Sequence, residues 1–408
     1  MTNINSNPKI RIEHLIKIYG EKPQAALKMF RQGGSRDSIL EKTGQVLGIA
    51  DVSMTVNKGE LFVVMGLSGS GKSTLARCIN RLINPTSGNI YIDDEDIAHV
   101  DEKRMREIRQ SKVSMVFQRF GLFPHKTVAE NVGYGLKVRG IDQAKRRKKA
   151  LETLEVVGLS QWADYLPSSL SGGMRQRVGL ARALATDAEI LLMDEAFSAL
   201  DPLIRRDMQD ELLRLQTELH KTIVFISHDI QEALKMGDHI AVMKDGYIVQ
   251  IGTPEELINQ PADDYISAFI QDVNRAQVLK TGSIARQTPA LVLTENSARA
   301  GLEQMIDHHL QQMYVVDAHS KPVGIVKKQW LEAVLQKGTE DITEVMETDF
   351  PTVNASTHLE DIFHLYRDGL PVAVVDTDGT FKGMVEQSDL IASIGKPQKL
   401  LQDNLAEY

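Results

Sequence analysis

Apolar positions along this chain fall in short continuous runs, separated by longer stretches in which they recur at helical spacing. Residues 61–65, 113–117, 190–193, 222–226 and 240–243 are such runs, each closed by a turn residue or a polar side chain. A run of four to six apolar residues fits a strand buried on both faces. Helical patterns cover residues 72–82, 102–109, 127–162, 170–185 and 203–219, with further helical pieces from 254 to 277. Strands at 11–19, 49–56 and 88–92 alternate apolar and polar residues, as half-buried strands do. Residues 240–243 and 247–251 pair across the turn Lys244-Asp245-Gly246 as a hairpin. Strands alternating with helices predict an α/β fold around a largely parallel sheet.

Two segments stand apart. Residues 20–48 interrupt the first strand pair with two helical pieces, near 23–31 and 37–42. After Lys280 the chain repeats itself. Val315-Val316-Asp317 returns as Val374-Val375-Asp376, Gly324-Ile325-Val326 as Gly383-Met384-Val385, and Leu331 as Leu390, all at an offset of 59 residues. Units this small bury little surface alone and are expected to pack as a pair. Charge changes at the same place. Before Lys280 the sequence holds 36 basic and 36 acidic residues, and from Lys280 onward 11 and 19, so the tail carries the whole net charge of −8. The organisation predicted is a domain over 1–279 with its insert at 20–48. A paired tail follows over 280–408, as repeats at about 280–338 and 339–396 with a short terminal stretch.

Neither part is basic enough for a nucleic-acid platform, and the run Lys145-Arg146-Arg147-Lys148-Lys149 reads as a solvated helix face. One cysteine, Cys78, fits a reducing compartment. The first nine residues lack the apolar core of a signal peptide, and no run reaches the ~20 apolar residues of a membrane span. Any work at a membrane is therefore expected to go through a partner.

The chemistry centres on Gly66-Leu67-Ser68-Gly69-Ser70-Gly71-Lys72-Ser73-Thr74, set between a strand and a helix. That context makes a glycine-rich stretch a phosphate cradle, with backbone N–H groups and a helix N-terminus facing the anion. Lys72 reaches the β- and γ-phosphates of a nucleotide such as ATP, and the Ser73 hydroxyl is a ligand for Mg²⁺. Asp194 ends an apolar strand at the edge where parallel sheets bind ligands, and can hold Mg²⁺ through water. Glu195 beside it can polarise an attacking water. His228 ends another strand and can hydrogen-bond the γ-phosphate. Gln118 ends a third, offering an amide oxygen to the metal and its NH₂ to a water. Ser171-Gly172-Gly173 opens a helix and forms a second anion site. One nucleotide does not need two such sites from one chain. The economical arrangement is a head-to-tail dimer, each copy capping the nucleotide of the other.

Together the loop at 66–73, Leu170-Ser171-Gly172-Gly173-Met174-Arg175-Gln176, Asp194-Glu195, Ala199-Leu200-Asp201, Gln118 and His228 resemble the ATPase subunit of an ABC transporter over about residues 11–278. The resemblance implies a RecA-like core with antiparallel β and helical subdomains. It implies that Tyr19 stacks on adenine and that Asp201 links the two sites across the dimer. Residues 119–124 would then lie where a coupling helix of a membrane permease docks. The tail resembles tandem CBS domains. With the insert, the tail and Met193-Asp194-Glu195-Ala196-Phe197-Ser198-Ala199-Leu200-Asp201, the chain is similar to ATPases of glycine betaine and other quaternary-amine uptake systems. That implies a peripheral place on the cytoplasmic face of the membrane and an extracytoplasmic solute-binding protein as an indirect partner.

The tail departs from the adenosine-binding CBS pattern, which puts Thr or Ser three residues after the repeat's glycine and Asp six after. The second repeat has Glu386 and Asp389, the first Lys327 and Trp330. By resemblance the tail regulates transport through ionic strength or a nucleotide, a cyclic dinucleotide between CBS domains included. Three rival readings remain at this stage. An importer ATPase for another solute, such as an amino acid, differs only in the subfamily resemblance. A non-transport ABC ATPase is opposed by the single loop, the single cysteine and the lack of a basic domain. An inert ATPase carrying a regulatory tail is opposed by the complete catalytic set.

Overall fold

In a computed structural model of the chain, residues 7–117, 121–198, 200–293, 297–366 and 369–395 are described. They divide into two units, Met1–Gln271 and Asp272–Tyr408. The second begins ahead of the charge boundary at Lys280. The short helix Arg275–Val278 belongs to it, and the Leu359 N–H donates to the Leu279 carbonyl (3.0 Å).

The first unit holds two sheets among the described residues. Strands β1 (Pro8–Tyr19), β2 (Val46–Asn57), β4 (Ser87–Ile92) and β5 (Glu95–Asp96) make an antiparallel sheet in the order β2-β1-β4-β5. Strands β3 (Leu61–Met65), β6 (Val113–Phe117), β7 (Ile190–Asp194), β8 (Thr222–Ser227), β9 (His239–Lys244) and β10 (Tyr247–Gly252) make the second, in the order β10-β9-β3-β8-β7-β6. The pairs β9–β3, β3–β8, β8–β7 and β7–β6 are parallel, and only the hairpin partner β10 runs antiparallel. Strands β3, β7 and β8 are buried at every residue, which explains why their sequences are unbroken apolar runs rather than alternating ones. The β1–β2 sheet packs its inner face, including Ile10, Ile12, Val52 and Val56, into the same core as Phe62, Val64, Leu192 and Val224.

Two helices, Pro23–Arg31 and Arg36–Thr43, connect β1 to β2. They bury Ala26, Leu27 and Ile39 with Ile16, Ile18, Leu47 and Ala50 in a satellite core. Arg36 reaches the hairpin turn at Asp245 (3.1 Å).

Two helical patterns are shorter than expected. The helix after the phosphate loop is Lys72–Ile79 and stops before Leu82. Arg81 turns left-handed (φ 48°), and the Arg109 guanidinium takes the carbonyls of Asn80 (3.0 Å) and Arg81 (2.6 Å) that a further turn would use. The pattern over 127–162 breaks into Val128–Val132, Tyr134–Val138, Gln143–Val156 and a 3-10 turn, Ser160–Trp162. Gly140 is left-handed (φ 76°), and Asp142 caps a fresh helix through the N–H groups of Ala144 and Lys145. Lys145, Arg147, Lys148 and Lys149 are exposed on that helix. These pieces and the helix Gly172–Leu184 enclose their own core of Val128, Ala150, Leu154, Leu170, Val178 and Ala181.

Among its described residues the second unit holds two small sheets. Strands β11 (Leu291–Val292), β12 (Gln312–Val316) and β13 (Pro322–Lys327) are followed by β14 (Thr352–Asn354), β15 (Val372–Val375) and β16 (Phe381–Val385). In each, the first pair is parallel and the second antiparallel. Val315 faces Gly324, and Val374 faces Gly383, so the 59-residue repeat is carried into the register. The helices Lys328–Gln336 and Gln387–Ile394 follow at the same offset. The repeats differ before their second strand, where the helix Ala298–Asp307 is matched by a 3-10 segment, Leu359–Leu365.

Candidate active site

Register decides which side chains meet. Met65 pairs with Ser227, Val64 and Asp194 each pair with Ile226, and Asp194 pairs with Phe117. The described residues that follow these strands, Gly66, His228 and Glu195, therefore leave one edge of one sheet. Gln118 itself lies outside the described residues, as do Arg119, Phe120 and Ala199.

Gly66 has φ 147°, and a Cβ there would sit 2.1 Å from the Met243 carbonyl oxygen, so only glycine lets β3 turn into the loop. The Ser70 N–H donates to the Leu67 carbonyl (3.2 Å), and the Ser70 carbonyl accepts from Gly246 N–H (3.0 Å), which pins the loop to the hairpin turn. Lys72 is buried at 4% exposure. Its ammonium donates to the carbonyls of Gly66 (2.8 Å) and Leu67 (2.9 Å) and lies 3.5 Å from Ser70 Oγ. Burial lowers its pKa below the usual lysine value, and the nearby carboxylates of Glu195 and Asp194 oppose that shift. Ser68 and Gly69 are exposed at the loop tip, while Ser73 and Thr74 are half-buried in the first helical turn. The Tyr19 hydroxyl lies 3.0 Å from Thr74 Oγ1, and the ring packs so closely on Gly48 that a Cβ there would lie 2.7 Å from it. Tyr19 as a whole is still 37% exposed. An aromatic face thus borders the phosphate loop.

Asp194 is buried at 3% exposure. Its Oδ2 accepts from Arg77 Nη2 at 3.3 Å, and its Oδ1 is buried with no hydrogen-bond partner. Glu195 turns sharply out of β7 in the left-handed region (φ 49°), with its N–H on the Ile226 carbonyl (3.2 Å). A strained non-glycine residue at a strand end is a common mark of a working site. Its Oε2 lies 3.7 Å from His228 Nδ1, and the His228 side chain is 55% exposed. Glu195 and His228 thus stand side by side at the ends of neighbouring strands.

The remaining predicted residues sit elsewhere. Ser171 caps the helix Gly172–Leu184, its Oγ accepting from Met174 N–H (3.3 Å). Gly173 packs on the helix Pro202–Leu219 so tightly that a Cβ would lie 2.5 Å from Ile204 Cγ2. Asp201 is exposed and caps that second helix through Ile204 N–H (3.2 Å). Among the described residues no hydrogen bond joins Ser171, Gly172 or Gly173 to the loop at 66–74. A cleft of about 270 Å³ opens beside Lys126, Thr127, Tyr134 and Arg146 and is lined by none of these residues.

Three working side chains were not singled out by the sequence reading. Asn131 is fully buried. Its amide donates to the carbonyls of Phe123, Lys126 and Thr127 (3.1, 3.1 and 3.0 Å), and its Oδ1 accepts from Phe123 N–H (2.8 Å). It fixes the stretch from Phe123 to Thr127, where Phe123 is half-buried. Glu232 accepts from the Ser227 hydroxyl and from Gln209 Nε2 (3.0 Å), bracing the turn that carries His228 against the helix behind Asp201. Burial raises its pKa. Arg77 is the third. A polar residue inside an apolar helix face is the only signal the sequence offers for Asn131 and Glu232.

The family described as ABC transporter matches residues 49–198, and the family described as CBS domain matches residues 342–396. The chain is similar to the glycine betaine transport ATP-binding protein OpuAA of Bacillus subtilis, at 46% identity over 95% of this chain and 92% of that protein. It is likewise similar to the glycine betaine/proline betaine transport system ATP-binding protein ProV of Escherichia coli, at 46% identity over 95% and 98%. Among solved structures it resembles a dimeric post-hydrolysis ATP-binding cassette bound to ADP and Pi, with a TM-score of 0.52 and 32% identity over 60% of this chain and 98% of that one.

Proposed function

The chain belongs to the ATP-binding proteins of glycine betaine ABC transport systems, and from that premise we propose that it hydrolyses ATP to drive uptake of glycine betaine or a related quaternary amine. The reading is carried by one convergence: buried Lys72, buried Asp194, and the Glu195–His228 pair at a single sheet edge.

The loop at 66–74 binds the phosphate chain, with Lys72 as its counter-charge and Tyr19 against the adenine. Mg²⁺ fits the donors present. Among the described residues no three His, Cys, Asp or Glu side chains form a metal cluster, so a cation here shares its ligands with phosphate. Ser73 supplies a hydroxyl, Asp194 a buried oxygen without a partner, and Gln118 an amide oxygen. A Mg²⁺ held by these residues would neutralise phosphate charge. Glu195 accepts the proton of the attacking water, and His228 orients the γ-phosphate.

Ser171, Gly172 and Gly173 serve the nucleotide of a second copy; among the described residues no hydrogen bond joins them to the loop of their own chain. Asp201, exposed beside them, lies at the interface between the copies. Coupling to an integral permease runs through residues 119–124, next to the stretch from Phe123 to Thr127 that Asn131 holds, and the solute-binding protein acts beyond the permease. Among the described residues no helix is long and apolar enough to cross a membrane, so attachment to the cytoplasmic face goes through that permease.

The second unit regulates the first. Asp389, the one residue kept from the adenosine-binding pattern, is held by Arg286 (2.5 Å), which favours a regulator other than adenosine. The test is uptake of labelled glycine betaine at high osmolarity in cells with and without this chain. Loss of uptake without the chain supports the substrate assignment, and unchanged uptake overturns it.

A further inference from the structure

Arg77 has no place in the reading above, yet it touches the centre of the site. It lies on the helix Lys72–Ile79, and its guanidinium is 3.3 Å from Asp194 Oδ2. The two side chains are unlike: Asp194 is 5% exposed and Arg77 47%. The other nearby cation, Lys72, directs its ammonium to the Gly66 and Leu67 carbonyls. A buried carboxylate therefore has a half-exposed guanidinium on one oxygen and no partner on the other.

Such a pair is asymmetric in a useful way. The contact is longer than the 2.7–2.9 Å typical of a charge-assisted bond. A guanidinium on a flexible stem can swing into water at little cost, whereas a buried carboxylate cannot be left without a counter-charge. A divalent cation next to Asp194 would also repel the guanidinium across a few ångströms of partly buried space. We infer that Arg77 is the resident counter-ion of Asp194 and competes with Mg²⁺ for that carboxylate, so that it sets the metal concentration at which nucleotide is captured. The inference rests on the metal reading of Asp194. Arg77 acts as a positioning residue: its charge offsets that of the Asp194 carboxylate so that the negative phosphate chain can enter, and the guanidinium then yields the oxygen.

The test is titration of the full chain with Mn²⁺ as the probe, read by electron paramagnetic resonance, in the presence of a non-hydrolysable ATP analogue. Arg77→Gln is expected to lower the Mn²⁺ half-saturation about tenfold, the size of one screened charge contact. The same variant is expected to bind the analogue several-fold more weakly in excess chelator, because Asp194 then repels the phosphates unopposed. General damage would weaken both, so the opposite signs are the signature. Arg77→Lys keeps the charge on a shorter stem, is expected to fall between the two, and carries the test alone should the glutamine variant not fold. A midpoint that falls in neither folded variant overturns the inference about Arg77. Absence of any Mn²⁺ binding by the unmodified chain with the analogue overturns the metal reading of Asp194, and the inference with it.

Discussion

Glu195 shows how much one backbone angle does. At φ 49° it turns the chain out of β7, so that its carboxylate stands beside His228 instead of continuing the strand. Glu195→Gln keeps the shape and the hydrogen-bonding N–H but removes the base. Phosphate release is expected to fall by about 10²–10⁴-fold while the analogue still binds, which single-turnover phosphate assays and equilibrium binding measure separately. Turnover near that of the unmodified chain would take the base role from Glu195. Asn131 belongs to the same scale. Its side chain makes four bonds from a fully buried position, and Asn131→Ala leaves the Phe123 N–H and three carbonyls without it. A loss of about 2–3 kcal/mol in urea unfolding is expected. The phosphate-loop residues, Asp194, Glu195 and His228 were legible in the sequence because each ends an apolar run. Asn131, Glu232 and Arg77 were not, since their roles depend on what packs opposite them.

At the scale of elements, β3 and β9 are tied at their starts by an acid–histidine pair. Glu60 is 7% exposed; its Oε1 lies 2.7 Å from His239 Nδ1, and its other oxygen accepts from Asn57 N–H (2.5 Å). Asp238, next to His239, accepts from Leu61 N–H (2.8 Å). The bond to Glu60 raises the pKa of His239, with Asp238 and Glu256 adding to it against partial burial. A raised folded-state value means that the native state holds this proton more tightly than the unfolded chain does. The contribution is complete below the unfolded value of about 6.5 and is lost as pH rises through the higher folded value. His239→Gln is therefore expected to cost stability at pH 6 and little at pH 8.5, measured by urea unfolding at both. An equal cost at the two pH values would mean that packing, not protonation, holds the pair. The strands themselves were readable from apolar runs. The helix breaks at Arg81 and Gly140 were not, because both depend on left-handed residues whose carbonyl and cap partners come from other segments or from the turn chemistry at Asp142.

At the scale of the molecule, the charge step and the repeat together pointed to a separate tail, and the second unit shows why its two halves come as one. The outer strand of each repeat pairs with the segment that leads into the other. Ile325 of β13 exchanges both backbone bonds with Glu347 (2.9 Å each), and Met384 of β16 does so with Arg286 (2.9 and 3.1 Å). Ile325 and Met384 are related by the same 59-residue offset as the repeats. The core crosses between repeats too. Tyr314 is fully buried, donates to the Pro371 carbonyl (2.6 Å), and packs on Phe350 and Phe381 at 5.3 and 5.2 Å between ring centres. Neither repeat closes its own edge, and a core of Tyr314, Ile325, Leu370, Ala373 and Met384 is shared between them. A chain ending at Gly338 would keep β11–β13 but leave the edge of β13 open and Tyr314 bare on one side, which a unit of about 60 residues cannot tolerate. Calorimetry of chains ending at Gln271, at Gly338 and at Tyr408 is expected to show the first unit melting in all three, with a second transition only in the chain ending at Tyr408. A second transition in the chain ending at Gly338 would mean that one repeat folds alone. Its absence would make the pair the smallest folding element of the second unit, its halves held together by shared strands and a shared tyrosine.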